Sequence, residues 1–310
     1  MPHDPQPPSQ PAQPQQQNQQ PHQQPHRPRH HQPQQGGQQR RPPGPPPPPK
    51  GVLIWGDPED PVAYSLFTRC QEAGETVSWH NEANSFRPNQ TPKYEVLINT
   101  HPDLASVSDF DLSYHLSDFM GPDSLCFTLC LTQCGRDQAH GFDKPAQVFG
   151  FSAVSLYRDT PVVELATRAD QTEALLQRAE AFLSKLNLKS IRVPEIPALI
   201  LGRTIAMLVN EAASALMEGI ATPGDLDTAM ATGVNYPEGP LHWADLIGLD
   251  TILAILLHLY DETHEERYRP VPLLKDKVAA GETGFQNGRG FFDYDDDPKP
   301  APPVAEPAHG

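Results

Sequence analysis

The chain is expected to fold as an α/β sheet domain over residues 51–193, followed by an all-helical domain over residues 194–294. Two patterns carry this expectation. Short apolar runs alternate with helical patterns from Gly51 to Val193, and after Pro194 the strand signals stop while apolar residues recur at helical spacing. Strands separated by helices and apolar on both faces indicate a parallel, doubly wound sheet.

GVLIWG (51–56) is a short apolar run ending in glycine, fit for a first buried strand. A helix follows from Pro61 through AYSLFTRCQEAG, with proline at its first position. ETVSW, YEVLINT and SLCFTLCL supply the second, third and fourth strands, and QVFGF and PVVELAT the next two. A helix from Asp170 through EALLQRAEAFLSKL then leads into the strand LKSIRV. In the second domain Ile205, Leu208, Val209, Ala212 and Leu216 form an apolar helical stripe ending at Gly219. ATPGDLDTAMATG opens a helix with Thr222 as cap, Pro223 at its first position and Asp225 in the first turn. WADLIGLDTILAILLHLYDE gives two helical segments split near Gly248, with Asp250 as the cap of the second. LLKDKVAAG is the last helix, ending on Gly281. The central helix is apolar nearly all round, as expected of a helix that is buried or shared with a second subunit.

Both ends differ in kind. Residues 1–50 hold 17 Pro and 15 Gln with almost no aliphatic side chains, so they cannot bury enough apolar surface to offset chain entropy. They read as a disordered Pro/Gln-rich arm ending in a polyproline II spacer, PPGPPPPPK. Residues 295–310, rich in Asp, Pro and Ala, read as a disordered tail. Five histidines in the arm offer loose metal or RNA contact, against the simpler reading of a solvated low-complexity segment.

The net charge of −16 conceals an asymmetry: the arm carries +4 and the remainder −20. So acidic a body repels nucleic-acid phosphate, and no DNA or RNA binding by the folded part is expected. No apolar segment follows a basic start, and no uncharged stretch of 18 residues is present to span a bilayer, so no membrane association and a cytoplasmic location are expected. Cys126, Cys130 and Cys134 are spaced by four and match none of the CxxC pairs that zinc or iron–sulfur sites prefer. With Cys70 they read as buried thiols, with no metal site and no disulfide framework.

Several strings agree in order and spacing with a known family: RTIAMLVNEA (203–212), GIATPGDLDTA (219–229), GVNYPEGPLHWAD (233–245), ADLIGLDT (244–251), RYRPVPLL (267–274) and GRGFFDY (288–294). Together they resemble the 3-hydroxyacyl-CoA dehydrogenases, and GVNYPEGPLHWAD is most similar to the C-terminal half of the two-repeat enzymes of phenylacetate and related acyl-CoA degradation. The resemblance spans Gly51–Tyr294 and is strongest over Arg203–Tyr294. It implies a Rossmann-like sheet domain, NAD as cofactor, an acyl-CoA substrate, and a helical domain that dimerises.

The chemistry implied by the resemblance is only partly present. The family's GxGxxG turn corresponds to Gly56-Asp57-Pro58-Glu59-Asp60-Pro61, in which only Gly56 survives, two prolines lack amide donors and three carboxylates stand where two phosphate charges would go. The acidic residue that holds the adenosine ribose is replaced by Trp79-His80, with His80 expected at the surface. QVFGFSAVSL puts Ser152 at the position of the family's catalytic His, and Glu164, twelve residues on, at the position of the Glu that orients it. A carboxylate simply facing solvent at a strand end is the bland reading of Glu164. The Asn-Thr-Ser-Ser loop reads Leu131-Thr132-Gln133-Cys134, the Asn–Arg pair opening the helical domain reads Gly202-Arg203, and Tyr157, Arg158 and Asp159 replace an Asn-Pro turn. Substrate-cleft candidates are Cys134, Asn235, Tyr236, Pro237, Gly239 and Pro240; His242 and Trp243 are expected in a core or interface role.

These departures imply a non-catalytic or accessory subunit that dimerises through the helical domain, binds acyl-CoA and pairs with a catalytic dehydrogenase. The second reading is an active NAD-dependent 3-hydroxyacyl-CoA dehydrogenase whose base is His101 or His140, on loops after strands. A third makes the Pro/Gln-rich arm the functional part, as a scaffold.

Overall fold

A computed structural model describes residues 51–80, 92–101, 116–132, 135–158 and 160–294. The arm, the C-terminal tail, Gln133, Cys134 and Asp159 lie outside the described residues, as do the side chains of His80 and Arg158.

All seven expected strands are present: β1 (Val52–Trp55), β2 (Val77–His80), β3 (Tyr94–Asn99), β4 (Met120–Leu129), β5 (Val148–Ser152), β6 (Val162–Thr167) and β7 (Lys189–Pro194). They form one sheet in the order β2-β1-β3-β4-β5-β6-β7. The first five run parallel, but β6 is antiparallel to β5 and β7 is parallel to β6. The expectation of an all-parallel sheet is therefore corrected to a mostly parallel one. Only a turn of 3₁₀ helix, Val154–Arg158, separates β5 from β6, too little chain for the crossover that a parallel pair needs.

Alternation along the strands feeds two cores. Val52, Ile54, Phe127 and Phe149 pack on one face against α1 (Pro61–Glu72) through Leu66 and Cys70. The same face meets α3 (Glu173–Lys185) through Leu176, Ala179 and Leu183. Leu53, Trp55, Leu97, Cys126 and Val148 point the other way, against Leu116, Phe142 and Ala139 of the short helix α2 (Gly135–Ala139). Cys70, Cys126 and Cys130 are buried thiols, as expected, and burial pushes Cys70 and Cys126 up to about 12.

The helical half comprises α4 (Leu201–Met217), α5 (Pro223–Gly233), α6 (Pro240–Ile247), α7 (Leu249–Thr263) and α8 (Pro272–Ala279). Thr222 caps α5 as expected, accepting from Asp225 N at 3.2 Å. Asp250 does not cap α7: it lies in the first turn, and Gly248, with φ of 102°, is the cap residue. The α6–α7 corner needs that glycine, because few side chains adopt positive φ. A third core joins the halves, with Leu131 and Val154 of the sheet domain packing among Ile205, Val209, Leu241 and Ile255.

Candidate functional site

Sheet order reverses between β1 and β3, both of which flank β2 or β4 on opposite sides, so the topological switch point lies at their C-terminal ends. There the residues do not fit a dinucleotide pyrophosphate. Asp60 caps α1 with its own carboxylate, accepting from Ala63 N at 2.8 Å and also from Val62 N. Pro61 has no amide hydrogen, and Tyr64 N donates to Asp60 O at 2.9 Å, so every first-turn donor is already satisfied within the chain. Burial raises the Asp60 carboxyl to about 6, which leaves it mostly ionised at pH 7. A fixed negative charge at a helix N-terminus competes directly with phosphate for the amides and the helix dipole. Gly56 has a structural reason instead: a Cβ built there would lie 1.9 Å from Thr100 Oγ1. Thr100 bonds Trp55 O at 3.3 Å, filling the space above the turn.

At the end of β2, Trp79 packs edge-on against Phe67, with ring centroids 5.4 Å apart, where the resemblance places the ribose-binding acid. His101, at the end of β3, donates its backbone N–H to Asn99 Oδ1 at 3.2 Å. Its imidazole is pushed below the usual range by burial, with Asp57 opposing the shift. His140 is exposed in the turn after α2. Between them runs a buried polar chain that sequence reasoning missed: Asn99 Nδ2 donates to Thr128 Oγ1 at 3.0 Å, Thr128 donates to Gln138 Oε1, and Gln138 Nε2 donates to Leu129 O at 3.0 Å. Asn99 ending the apolar run Val96-Leu97-Ile98 was the available signal.

The positions of the family's His and Glu do come together. Ser152 and Glu164 are direct cross-strand partners in the antiparallel β5–β6 pair. Glu164 does not face solvent, which corrects the bland reading; it is 8% exposed. Its carboxylate accepts from Ile200 N at 3.1 Å and from Leu201 N at 3.1 and 3.2 Å. Those are opening amides of α4, whose cap residue Ile200 supplies no side-chain acceptor. Glu164 is thus the cap of α4, reached across the chain from β6. Burial raises its pKa, while the two amides and the neighbouring Ser152 hydroxyl oppose the shift. Ser152 Oγ lies close enough to favour the ionised carboxylate, yet it is buried without a hydrogen bond of good geometry. Just upstream, Ala198 and Leu199 adopt left-handed backbone, φ 57° and 49°, to bring the two amides round.

Gly202 is buried in the first turn of α4, and a Cβ there would meet Ala198, Leu131 and Ile255 at 3.5 to 3.9 Å, ordinary contact distances. The other half of that pair, Arg203, stacks over the Tyr268 ring at 5.0 Å and bonds its hydroxyl. Asn210 binds the same RYRPVP segment through Arg269 O at 3.1 Å and Val271 N at 2.9 Å.

The remaining described candidates lie just before and at the start of α6. Asn235 is exposed with φ of 59°, Tyr236 packs 6.3 Å from Trp243, and Pro237 is exposed. Gly239 and Pro240 are buried beneath Asp227, which caps α6 by accepting from Leu241 N at 2.9 Å and His242 N at 2.8 Å. A Cβ on Gly239 would sit 2.0 Å from that carboxylate carbon. Asp245 repeats the device: it accepts from Phe291 N at 2.8 Å, Phe292 N at 2.9 Å and the Tyr294 hydroxyl at 3.1 Å, and Gly290 leaves room for it. His242 Nδ1 lies 3.2 Å from the Tyr294 hydroxyl. The motifs with the strongest family resemblance therefore interlock the helical half. No cluster of metal-binding side chains occurs among the described residues.

A mostly parallel Rossmann-like sheet, followed by a helical domain gripped through a β6 carboxylate, defines a two-part fold. Residues 199–294 match the family model "3-hydroxyacyl-CoA dehydrogenase, C-terminal domain". The chain is 34% identical over 154 residues to a probable 3-hydroxybutyryl-CoA dehydrogenase of Bacillus subtilis, covering 50% of this chain and 54% of that protein. It is 38% identical over 126 residues to the 3-hydroxyadipyl-CoA dehydrogenase of Escherichia coli, covering 41% and 26% respectively. The crystal structure of (S)-3-hydroxybutyryl-CoA dehydrogenase from Ralstonia eutropha superposes with a TM-score of 0.65 at 21% identity, over 80% of this chain and 99% of that one. The chain is similar to the 3-hydroxyacyl-CoA dehydrogenases, and its helical half matches the C-terminal domain of that family. It spans about half the length of the first curated relatives it matches. No single described helix is long and apolar enough to cross a membrane.

Proposed function

We propose that this chain is a non-catalytic or accessory member of its family, a cytoplasmic pseudoenzyme that dimerises through its helical domain, binds acyl-CoA and works beside a catalytic dehydrogenase. The observation that carries the reading is the Ser152–Glu164 pair. A serine hydroxyl is far too weak a base at neutral pH to replace imidazole, and the carboxylate that would orient a histidine is committed to the α4 amides. The self-capped α1 supports the same reading for the cofactor, since it offers a pyrophosphate neither free amides nor a positive field. For a second subunit, Met217, Ile220 and Val234 of the helical half are half exposed or more, and a helix pair covering them would remove that apolar surface from water.

The second reading, an NAD-dependent enzyme oxidising 3-hydroxyacyl-CoA to 3-oxoacyl-CoA in fatty-acid or phenylacetate degradation, is favoured by the relatives, which are named as dehydrogenases. The deciding experiment is NADH oxidation with acetoacetyl-CoA by the full chain at high enzyme concentration, beside Glu164→Gln. Turnover that collapses in the variant establishes the second reading. An absence of turnover in both leaves the accessory reading in place.

A further inference from the structure

Asn287 is the only asparagine of the chain that precedes a glycine. A glycine has no side chain to hinder attack by its own nitrogen on the preceding amide, so Asn-Gly closes into a five-membered succinimide more readily than other Asn dipeptides. The structure shows why glycine stands there. Gly288 has φ of 81° and ends the 3₁₀ turn Phe285–Asn287, a conformation most side chains avoid. The loop it belongs to is closed by Gly284 N donating to Arg289 O at 2.7 Å and Arg289 N donating to Gly284 O at 3.1 Å. The same turn engages both groups that would react. Gly288 N, the attacking nitrogen, is buried and donates to Phe285 O at 3.1 Å. Asn287 is exposed, and its Nδ2, the leaving nitrogen, donates to Thr283 Oγ1. Thr283 is anchored in turn, since its carbonyl accepts from Leu249 N at 2.9 Å at the start of α7.

We propose that Asn287-Gly288 is a deamidation site held in check by the turn that Thr283 anchors, so that a chain whose turn opens is altered irreversibly beside the α6–α7 corner. Once the turn opens, Gly288 N bonds to Asn287 Cγ and gives up its proton to water, and the Cγ–Nδ2 bond breaks as ammonia leaves. Water then opens the ring at either carbonyl, which leaves an aspartyl or an isoaspartyl residue at 287 with no change of oxidation state. Both products place a carboxylate on a crevice that Asp60 and Asp250 also line, where like charges repel. The isoaspartyl form also lengthens the backbone inside the loop that Gly284 and Arg289 close.

The test is incubation of the full chain at pH 8, with conversion at position 287 followed by mass spectrometry of the tryptic peptide Val278–Arg289 and by isoaspartate detection. In guanidinium the unfolded chain should convert at least about tenfold faster than the folded one, because the folded chain reacts only through its open fraction. Thr283→Ala removes the acceptor and should speed conversion of the folded chain by about fivefold, the weight of one ordinary hydrogen bond. Thr283→Ser keeps the hydroxyl and should keep the wild-type rate. An unfolded chain that stays unconverted at 287, equal rates in the folded and unfolded chains, or a folded Thr283→Ala protein with the wild-type rate each overturns the proposal. If Thr283→Ala fails to fold, the comparison of folded with unfolded wild type decides it.

Discussion

Removing the Glu164 carboxylate should cost far more than removing its charge. In Glu164→Ala, the Ile200 and Leu201 amides lose acceptors now 3.1 Å away, in a site the carboxylate keeps nearly dry. Each buried donor left without a partner costs about 1–3 kcal/mol. The two together, with the small void left by truncation, put the loss at about 3–5 kcal/mol, a large part of the 5–15 kcal/mol typical of a folded protein. Glu164→Gln keeps an acceptor of the same reach and removes the cost of burying a charge, a cost already evident in the raised pKa. Its expected loss is roughly 1 kcal/mol or less. Urea unfolding followed by circular dichroism measures both. A Glu164→Ala loss under about 1 kcal/mol, or a Glu164→Gln loss equal to it, would refute the capping role and return Glu164 to a functional one.

Gly202→Ala should stabilise the protein by about 0.5–1 kcal/mol, because alanine favours the helix and its Cβ meets only ordinary contacts; a fall in the urea midpoint would contradict this. Gly239→Ala should have the opposite sign and cost more than about 2 kcal/mol, since the new Cβ collides with the carboxylate that caps α6; a midpoint within error of wild type would contradict it. Asp60 has a folded pKa of about 6 against 3.8 unfolded, so its contribution to stability is fully present below pH 3.8 and is lost as pH rises to 6. The stability difference between wild type and Asp60→Asn should therefore shift by up to about 3 kcal/mol against wild type between pH 4 and 7, and a difference constant in pH would contradict it.

Much of this was legible in residues whose neighbours in sequence decide their structure. The seven apolar runs, Pro61 and Pro223 at helix starts, and the Thr222 cap all act within a few residues, and each stands where expected. The resemblance put Ser152 and Glu164 at the positions of a histidine and the glutamate that orients it, and in the sheet the two are cross-strand partners. What escaped were bonds between residues far apart in the chain. Nothing near Glu164 announces that its partners are 36 and 37 residues away. Asp227 and Asp245 look like ordinary surface acids in their helices until Gly239 and Gly290 bring distant backbone against them. The reversal of β6 was hidden for a related reason, since the apolar pattern of a buried strand carries no direction. Asp250 was misplaced as a cap because an acid after glycine suits that role locally, whereas the corner geometry gives it to Gly248.

The account stands most directly on the switch point, where α1 binds its own aspartate in place of a dinucleotide. The measurement that tests it is a fluorescence titration of NADH into the full chain at pH 7.5. The prediction is no saturable binding up to roughly 1 mM, weaker than about −4 kcal/mol. Saturable binding with a Kd below about 100 μM would mean that the Asp60-capped turn admits a pyrophosphate after all, and the account would fall with it.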